Sequence, residues 1–307
     1  MLSIKNNLDL FYSKYADETG LSIRQTAVRV SKWDLNQWRN IVSSFDMSDW
    51  PVEAQDRVQT YGVQAGHDRT ALIGAIIGIS LADAAVKVQR ATQKRLEADS
   101  DDEVKRLKEQ SKLTKRQADK LTKVIEPKPS ETVPKVMKQR DKAISVTTDP
   151  DNVAIWSKNL WLDHDELAHD VQKLVNKHLK HGMSLHDLQD LLMAHTNPKQ
   201  FKPNQNIGDR IKTAQTNTQR IIRTESSRLV NSANLTTFRI KGYDYVGIQT
   251  EPDACDTCKL LAKQGPYPIG TVPYIPIHPN CRCVYVPRFN SGVFLYQTFK
   301  NMKQLQK

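Results

Sequence analysis

All four cysteines of this 307-residue chain fall between positions 255 and 283. They read Cys255-Asp256-Thr257-Cys258 and then, after an intervening stretch, His278-Pro279-Asn280-Cys281-Arg282-Cys283. The surrounding segment is short, rich in Pro and poor in apolar residues. Something other than a large core must hold it folded, and three states of the thiols compete for that role. The first is a tetrahedral zinc ion. A C-x-x-C turn offers two thiolates, and a second Cys/His pair supplies the rest. Cys281 and Cys283 are two apart, so on a strand both thiols face one side. His278 can replace either of them, which leaves one of the five donors spare. Lys259, Arg282 and Arg288 stand near enough in sequence to favour thiolates. The second state is a pair of disulfides, which needs an oxidising compartment. The opening residues show no charged start, apolar middle and small-residue cleavage site, so a chain made and used in the cytosol, or delivered by something other than secretion, is expected. The third state is free, reduced thiols. Structural zinc is the favoured expectation. Catalytic zinc is not, because Cys-rich sites are usually closed and no H-x-E base accompanies this one.

The charge is uneven. Lys plus Arg number 45 and Asp plus Glu 34, a net of +11. Residues 201–307 carry a net of +9, residues 87–142 a net of +7, and the remainder −5. Two basic zones on a mildly acidic base suit contact with a polyanion in two places; two solvated helical faces are the plainer reading. Aromatics are 7% of the chain, which argues against a base-stacking platform. The apolar run from Ala71 to Ala82 is shorter than the ~20 residues that span a bilayer, so membrane contact is not expected.

Helical periodicity dominates up to Gly242. Leu8, Phe11, Tyr12 and Tyr15 share one face, as do Trp33, Leu35, Trp38, Ile41 and Val42. Trp33, Trp38 and Trp50 read as core, and Trp50-Pro51 as a helix start. The stretch from Ala71 to Val86 is apolar all round and must be buried. Its Gly74-x-x-x-Gly78 spacing allows close helix packing. Asp99-Ser100-Asp101-Asp102 reads as a turn. From Val104, a three-four seam runs through Leu107, Ser111, Thr114, Ala118, Leu121 and Ile125, and points to a hairpin with the preceding helix that projects as a basic arm. Pro127, Pro129 and Pro134 mark a linker near 126–134. Asp149-Pro150 opens the next helices. An apolar stripe from Trp156 to Leu179 ends at Gly182, and Ser184 caps residues 185–194. That pair reads as bundle helices rather than a DNA-reading helix-turn-helix. Six of the eight histidines lie here, spaced as surface residues. A long helix is expected from Ile207 or Asp209 to about Lys241, with Gly242 as its stop. Three short strands then follow, in Y-D-Y-V-G-I-Q-T, V-P-Y-I-P-I-H and C-R-C-V-Y-V-P.

On the long helix, Arg223-Thr224-Glu225 stands out. Arg and Glu two apart do not face each other on a helix, so their partners should lie elsewhere, in the Cys/His unit or in a surface ion pair.

Taken in order, R-I-I-R-T-E-S-S-R-L-V-N-S-A-N, then G-Y-D-Y-V, then C-D-T-C and H-P-N-C-R-C resemble the phage Mu F-like minor head protein, or phage head morphogenesis, family. The match covers about 205–287, and residues 156–195 look like the upstream part of the same domain. The resemblance marks Arg223, Thr224, Glu225, Asn231, Cys255, Cys258, His278, Cys281 and Cys283. It implies a minor capsid protein of a tailed phage, acting near the portal inside the prohead in assembly and in DNA packaging or ejection.

The expected architecture is α+β and predominantly α-helical, with a helical body, a basic helical arm and a small C-terminal β-unit stabilised by zinc. Residues 1–150 form the N-terminal helical region. Residues 151–307 form the head-morphogenesis domain, with helices over 151–241 and the Cys/His β-unit over 242–290. The expected partners are a portal protein, a major capsid or scaffold protein and genome DNA, with Arg220, Arg228, Arg239, Arg282 and Arg288 as candidate phosphate contacts. No small-molecule substrate is expected, and the expected place is the capsid interior near the portal, with the host cytoplasm during assembly. The competing reading is a nuclease or other DNA-acting enzyme that uses zinc or Glu225. A zinc-dependent regulator is disfavoured by the lack of a recognition helix.

Overall fold

A computed structural model describes residues 29–125, 155–179 and 185–288. Within them, helices α1 (Lys32–Ser43), α2 (Val52–Ala65), α3 (Arg69–Gln110), α4 (Lys115–Ile125), α5 (Ile155–Leu179), α6 (Leu185–Leu192), α7 (Ile207–Ile240) and α8 (Asp256–Gln264) alternate late in the chain with strands β1 (Tyr245–Gln249), β2 (Tyr267–Pro268) and β3 (Val284–Arg288). The class is α+β and mostly helical, as the periodicity predicts. The expected helices before residue 29, the Pro-rich linker, the Asp149-Pro150 start and the Gly182/Ser184 turn lie outside the described residues.

The chain forms two compact units. In described residues, one comprises 29–91, 157–179 and 185–219, and the other 92–125, 155–156 and 220–288. The units interleave in sequence because α3 and α7 each begin in the first and end in the second.

The first unit is built on the apolar half of α3. Leu72, Ile76, Ile77 and Ile79 are almost wholly buried. An 18-residue window of this helix is long and apolar enough to cross a membrane, more than the uninterrupted run suggests, but 67% of it is buried inside the protein. The two glycines have separate tasks: a Cβ on Gly74 would meet Gln172 of α5, and one on Gly78 would meet the Tyr61 ring of α2. The Gly-x-x-x-Gly spacing therefore serves packing within the chain. Trp38 and Trp50 are core, as expected, while Trp33 is half-buried. Trp161 donates its indole N–H to Gln89 at 2.8 Å, and Arg57 lies over its ring while pairing with Asp165. One histidine departs from the surface expectation. His164 is buried edge-on to Trp161, and burial with the nearby Arg57 charge pushes its pKa down to about 3.

Asp209 organises the start of α7. It is fully buried, accepts the backbone N–H groups of His195 and Lys202 at 2.7 Å each, and meets His195 Nδ1 at 2.8 Å. Burial raises its pKa, but these donors outweigh burial and hold the carboxyl below its ordinary 3.8. Asn206 caps it in turn, accepting the Asp209 N–H through its side chain. Gly208, beside it, has no room for a side chain: a Cβ would lie 2.4 Å from the Ala194 backbone nitrogen.

In the second unit the expected turn at 99–102 is helical, because α3 runs unbroken to Gln110. Two of these residues have partners that suit the helix: Asp99 pairs with Arg95, and Ser100 donates to the Ile125 carbonyl at 3.2 Å. That last bond closes a hairpin, but not the expected one: its arms are the end of α3 and α4, whereas the sequence pairs the whole 104–125 seam with the helix before 99–102. The turn is at 111–114, interrupting the seam that the three-four spacing carries through Ser111 and Thr114. α7 ends in a Schellman closure, with Gly242 at φ 74°. The Tyr243 N–H reaches the Phe238 carbonyl and the Gly242 N–H that of Arg239. The sheet that follows is antiparallel in the order β2-β1-β3, with Gly247 opposite Val286.

Two measurements check this fold. Gly208→Ala should cost about 1–3 kcal/mol through overpacking against backbone, read as a lowered urea midpoint. The Asp209 carboxylate, with its folded pKa below the unfolded one, stabilises fully above the unfolded value, and that contribution is lost as pH falls through the folded one. Wild-type midpoints should therefore fall below about pH 4, and Asp209→Asn should flatten that part of the decline.

Candidate metal centre

The Cys/His unit departs from the expected three strands. V-P-Y-I-P-I-H forms a loop, and Asp256–Gln264 forms the helix α8. The loop is held by its contacts with Tyr285 of β3, whose hydroxyl accepts the Ile275 N–H at 3.0 Å and donates to the Pro273 carbonyl at 2.8 Å. Two prolines deprive the loop of ladder donors, which is why β-branched residues alone do not make it a strand. Cys281 and Cys283 come just before β3 and are not on it. Both thiols are nevertheless buried on the same cluster.

Cys255 caps α8, its sulfur accepting the Cys258 N–H at 3.5 Å. The C-x-x-C turn is thus a helix start, with Cys255 at the cap and Cys258 one turn inside. His278 Nε2 lies 3.3 Å from the sulfurs of both Cys255 and Cys258, and Cys258 Sγ lies 3.8 Å from Cys281 Sγ. Two triads result, Cys255/Cys258/His278 and Cys258/Cys281/Cys283, each with donor atoms within 4.8 Å of one another. Cys258 belongs to both. His278 Nδ1 is 2.9 Å from the Pro279 carbonyl. A carbonyl only accepts, so Nδ1 carries the proton and Nε2 presents its lone pair to the sulfurs. All four cysteines are free. These five residues can hold a metal ion.

The electrostatics distinguish the thiols. The Cys258 N–H hydrogen bond lowers the pKa of Cys255, helped by His278. Burial pushes Cys258 far up, and neighbouring thiols add to the effect. Burial also pushes Cys283 up, to about 11. Without a cation, Cys258 and Cys283 hold their protons. The apolar surroundings are supplied by Ile248, Ile275 and Tyr285, with Leu235 and Phe238 of α7 packed against them. The unit therefore has a small core after all, and three of its buried members are cysteines.

The Arg-Thr-Glu segment and Asn231 join this unit to α7. The Thr224 hydroxyl accepts the Asn280 N–H at 3.0 Å, in the turn where Asn280 takes φ 63°. Asn231 spans the gap to β3: its Nδ2 donates to the Cys283 carbonyl at 2.9 Å and its Oδ1 accepts the Tyr285 N–H at 3.0 Å. Glu225 is buried and pairs with Arg228 at 2.7 Å, one turn along its own helix. Burial raises the pKa of Glu225, and Arg228 opposes that shift. Arg228 also hydrogen-bonds Tyr274 of the loop. Thr224 thus meets the Cys/His unit directly and Glu225 through Arg228, and the Glu225 pair is interior rather than at the surface. Arg223 is exposed.

The candidate phosphate contacts separate by burial. Arg239, Arg282 and Arg288 are exposed, Arg220 is partly buried, and Arg228 is buried in its pair with Glu225. Arg228 is thereby corrected from a DNA contact to an internal strut. Arg282 pairs with Asp253 at 2.9 Å. Sequence spacing missed the α8 cap, since Cys is an unusual N-cap residue. It also missed the His195–Asp209 pair, whose members are joined by a loop. No family model matches the chain, and comparisons with curated proteins and with solved structures find no match.

Asn231→Ala leaves a buried N–H and a buried carbonyl without partners, and should cost about 2–4 kcal/mol. Limited proteolysis should show faster cleavage within 245–288, with α7 retained.

Proposed function

We propose that this chain is a structural minor head protein of a tailed phage, built to present a zinc-pinned knuckle on a long helix. The observation that carries the zinc reading is the donor geometry. Around a tetrahedral ion with Zn–S of about 2.3 Å and Zn–N of about 2.0–2.1 Å, sulfurs stand about 3.8 Å apart and sulfur to nitrogen about 3.6 Å. The distances here are 3.8 Å and 3.3 Å. The donor set, three buried sulfurs with one exposed sulfur and an imidazole, is the chemistry zinc prefers. The ion supplies folding energy to the unit, and metal binding costs the release of thiol protons.

The head-protein reading rests on the motif order and on how the marked residues are used. Thr224 and Asn231 bond to backbone of the Cys/His unit, and Glu225 holds Arg228. This is the use expected of a joint. In this reading the protein sits in the capsid interior near the portal, meets portal and major capsid or scaffold protein, and touches genome DNA without sequence preference.

The nuclease reading needs Glu225 to face a metal or a water, but its carboxylate is buried against Arg228. Wild-type protein incubated with plasmid and Mg²⁺ or Mn²⁺ should leave the plasmid intact, and mass spectrometry of purified phage particles should detect this chain in a few copies. Divalent-dependent cleavage that Glu225→Gln abolishes without loss of fold would overturn the structural assignment. Absence from particles would remove the head role.

A further inference from the structure

The hairpin of α3 and α4 carries a concentration of charge that the fold does not use. Residues 104–125 contain eight Lys/Arg and two Asp/Glu. One of the eight, Arg106, is engaged with Glu103, Gln110 and Asn234. The other seven, Lys105, Lys108, Lys112, Lys115, Arg116, Lys120 and Lys123, are all exposed and have no ion-pair partner among the described residues. Lys105 and Lys108 lie on one arm, Lys112 in the turn, and Lys115, Arg116, Lys120 and Lys123 on the other arm, the last three at four-three spacing. The line from Arg116 to Lys123 covers about 10 Å at 1.5 Å per residue. The inner faces are occupied by Leu107, Leu113, Ala118, Leu121 and Ile125, all buried.

Two of these cations stand where the fold disfavours them. Lys115 and Arg116 lie in the first turn of α4, which has no acidic residue. A helix N-terminus attracts anions and repels cations by a few tenths of a kcal/mol or more each. The turn itself is well made, since Thr114 and Gln117 exchange side-chain and backbone hydrogen bonds as a capping box. Lys112 takes the left-handed conformation at φ 47°, where Gly or Asn is easier. Local stability does not account for cations at all three positions.

We propose that this hairpin binds the phosphate backbone of duplex nucleic acid, with its tip, Lys108 to Arg116, as the principal contact. The hairpin has no aromatic residue on which a base could stack. Among its residues only Gln110 and Gln117 carry amides for reading base edges, and Gln117 is used in the cap. Contact is therefore with phosphates and is independent of sequence. A protein partner fits less well. Stable protein interfaces centre on buried aromatic or aliphatic anchors, whereas the large apolar side chain this hairpin exposes is Val124, near its base. The proposal deepens the reading of DNA contact given above and assigns that contact to a part separate from the metal knuckle.

The test is a fluorescence-anisotropy titration of the full chain with a 30-bp duplex over a range of salt. The variants are Lys108→Ala/Lys112→Ala/Lys115→Ala/Arg116→Ala, the corresponding Lys→Arg set with Arg116 retained, and Lys173→Ala/Lys177→Ala on α5 as an unrelated basic control. Each phosphate contact contributes about 0.9 to the slope of log K against log salt. The quadruple alanine variant should reduce that slope by up to about 3.6 and weaken binding at least ~10-fold near 0.1 M salt. The Lys→Arg set and the α5 control should bind as wild type. Duplex RNA binding comparably to DNA supports phosphate recognition, as does indifference to DNA sequence. Unchanged affinity and slope in the alanine variant would overturn the proposal, as would poly-glutamate competing as well as duplex. Either result leaves the zinc knuckle and the head role standing, because those are tested by metal content and particle composition.

Discussion

The arrangement of the second unit depends on one buried sulfur. Cys258 is the member common to both donor triads. It sits on α8, while His278, Cys281 and Cys283 come from the far side of a Pro-rich loop. Without a cation, burial forces the Cys258 thiol to stay protonated, and close sulfurs and an imidazole gain little from one another. With a divalent cation, the same burial strengthens every ligand bond by lowering the local dielectric. The short sheet has one two-residue strand and could not stand alone. The buried cysteines pack with Ile248 of β1 and Tyr285 of β3, and Asn231 on α7 bonds the Cys283 carbonyl and the Tyr285 N–H.

The knuckle and the helix are therefore one construction. Thr224, Arg228 and Asn231 lie on successive turns of α7, at spacings of four and three, and each reaches a different part of the unit: the Asn280 turn, the Tyr274 loop and the start of β3. A buried Glu–Arg pair is costly to form, yet removing one partner costs more. Glu225 is best understood as what keeps Arg228 extended toward Tyr274. This assigns structural work to three of the four Arg-Thr-Glu…Asn positions, with Arg223 left facing solvent.

Much of this was legible in the sequence. The long α7 with its Gly242 stop, the buried apolar α3 and the convergence of the five donors all follow from periodicity, capping and residue type. The misreadings have physical causes. Asp99 to Asp102 looks like a turn because Asp and Ser favour turns, but the Asp99–Arg95 pair and the Ser100–Ile125 bond suit the helix that runs through them. V-P-Y-I-P-I-H looks like a strand because of its β-branched residues, but its bonding partner is a tyrosine hydroxyl rather than a ladder. Asn231 carries the joint, yet its role depends on a contact across more than fifty positions, which no local pattern reveals. His164 could be placed in the core only through its contact with Trp161.

The central claim is that a single divalent ion, bound through Cys258, pins residues 245–288 to α7. Native mass spectrometry of reduced protein, coupled to hydrogen exchange before and after a strong chelator, tests it most directly. The account predicts one zinc per chain, its loss in Cys258→Ser, and a chelator-induced rise in exchange confined to 245–288 and the α7 residues that contact it. Metal-free protein with the same slow exchange in that segment would contradict it.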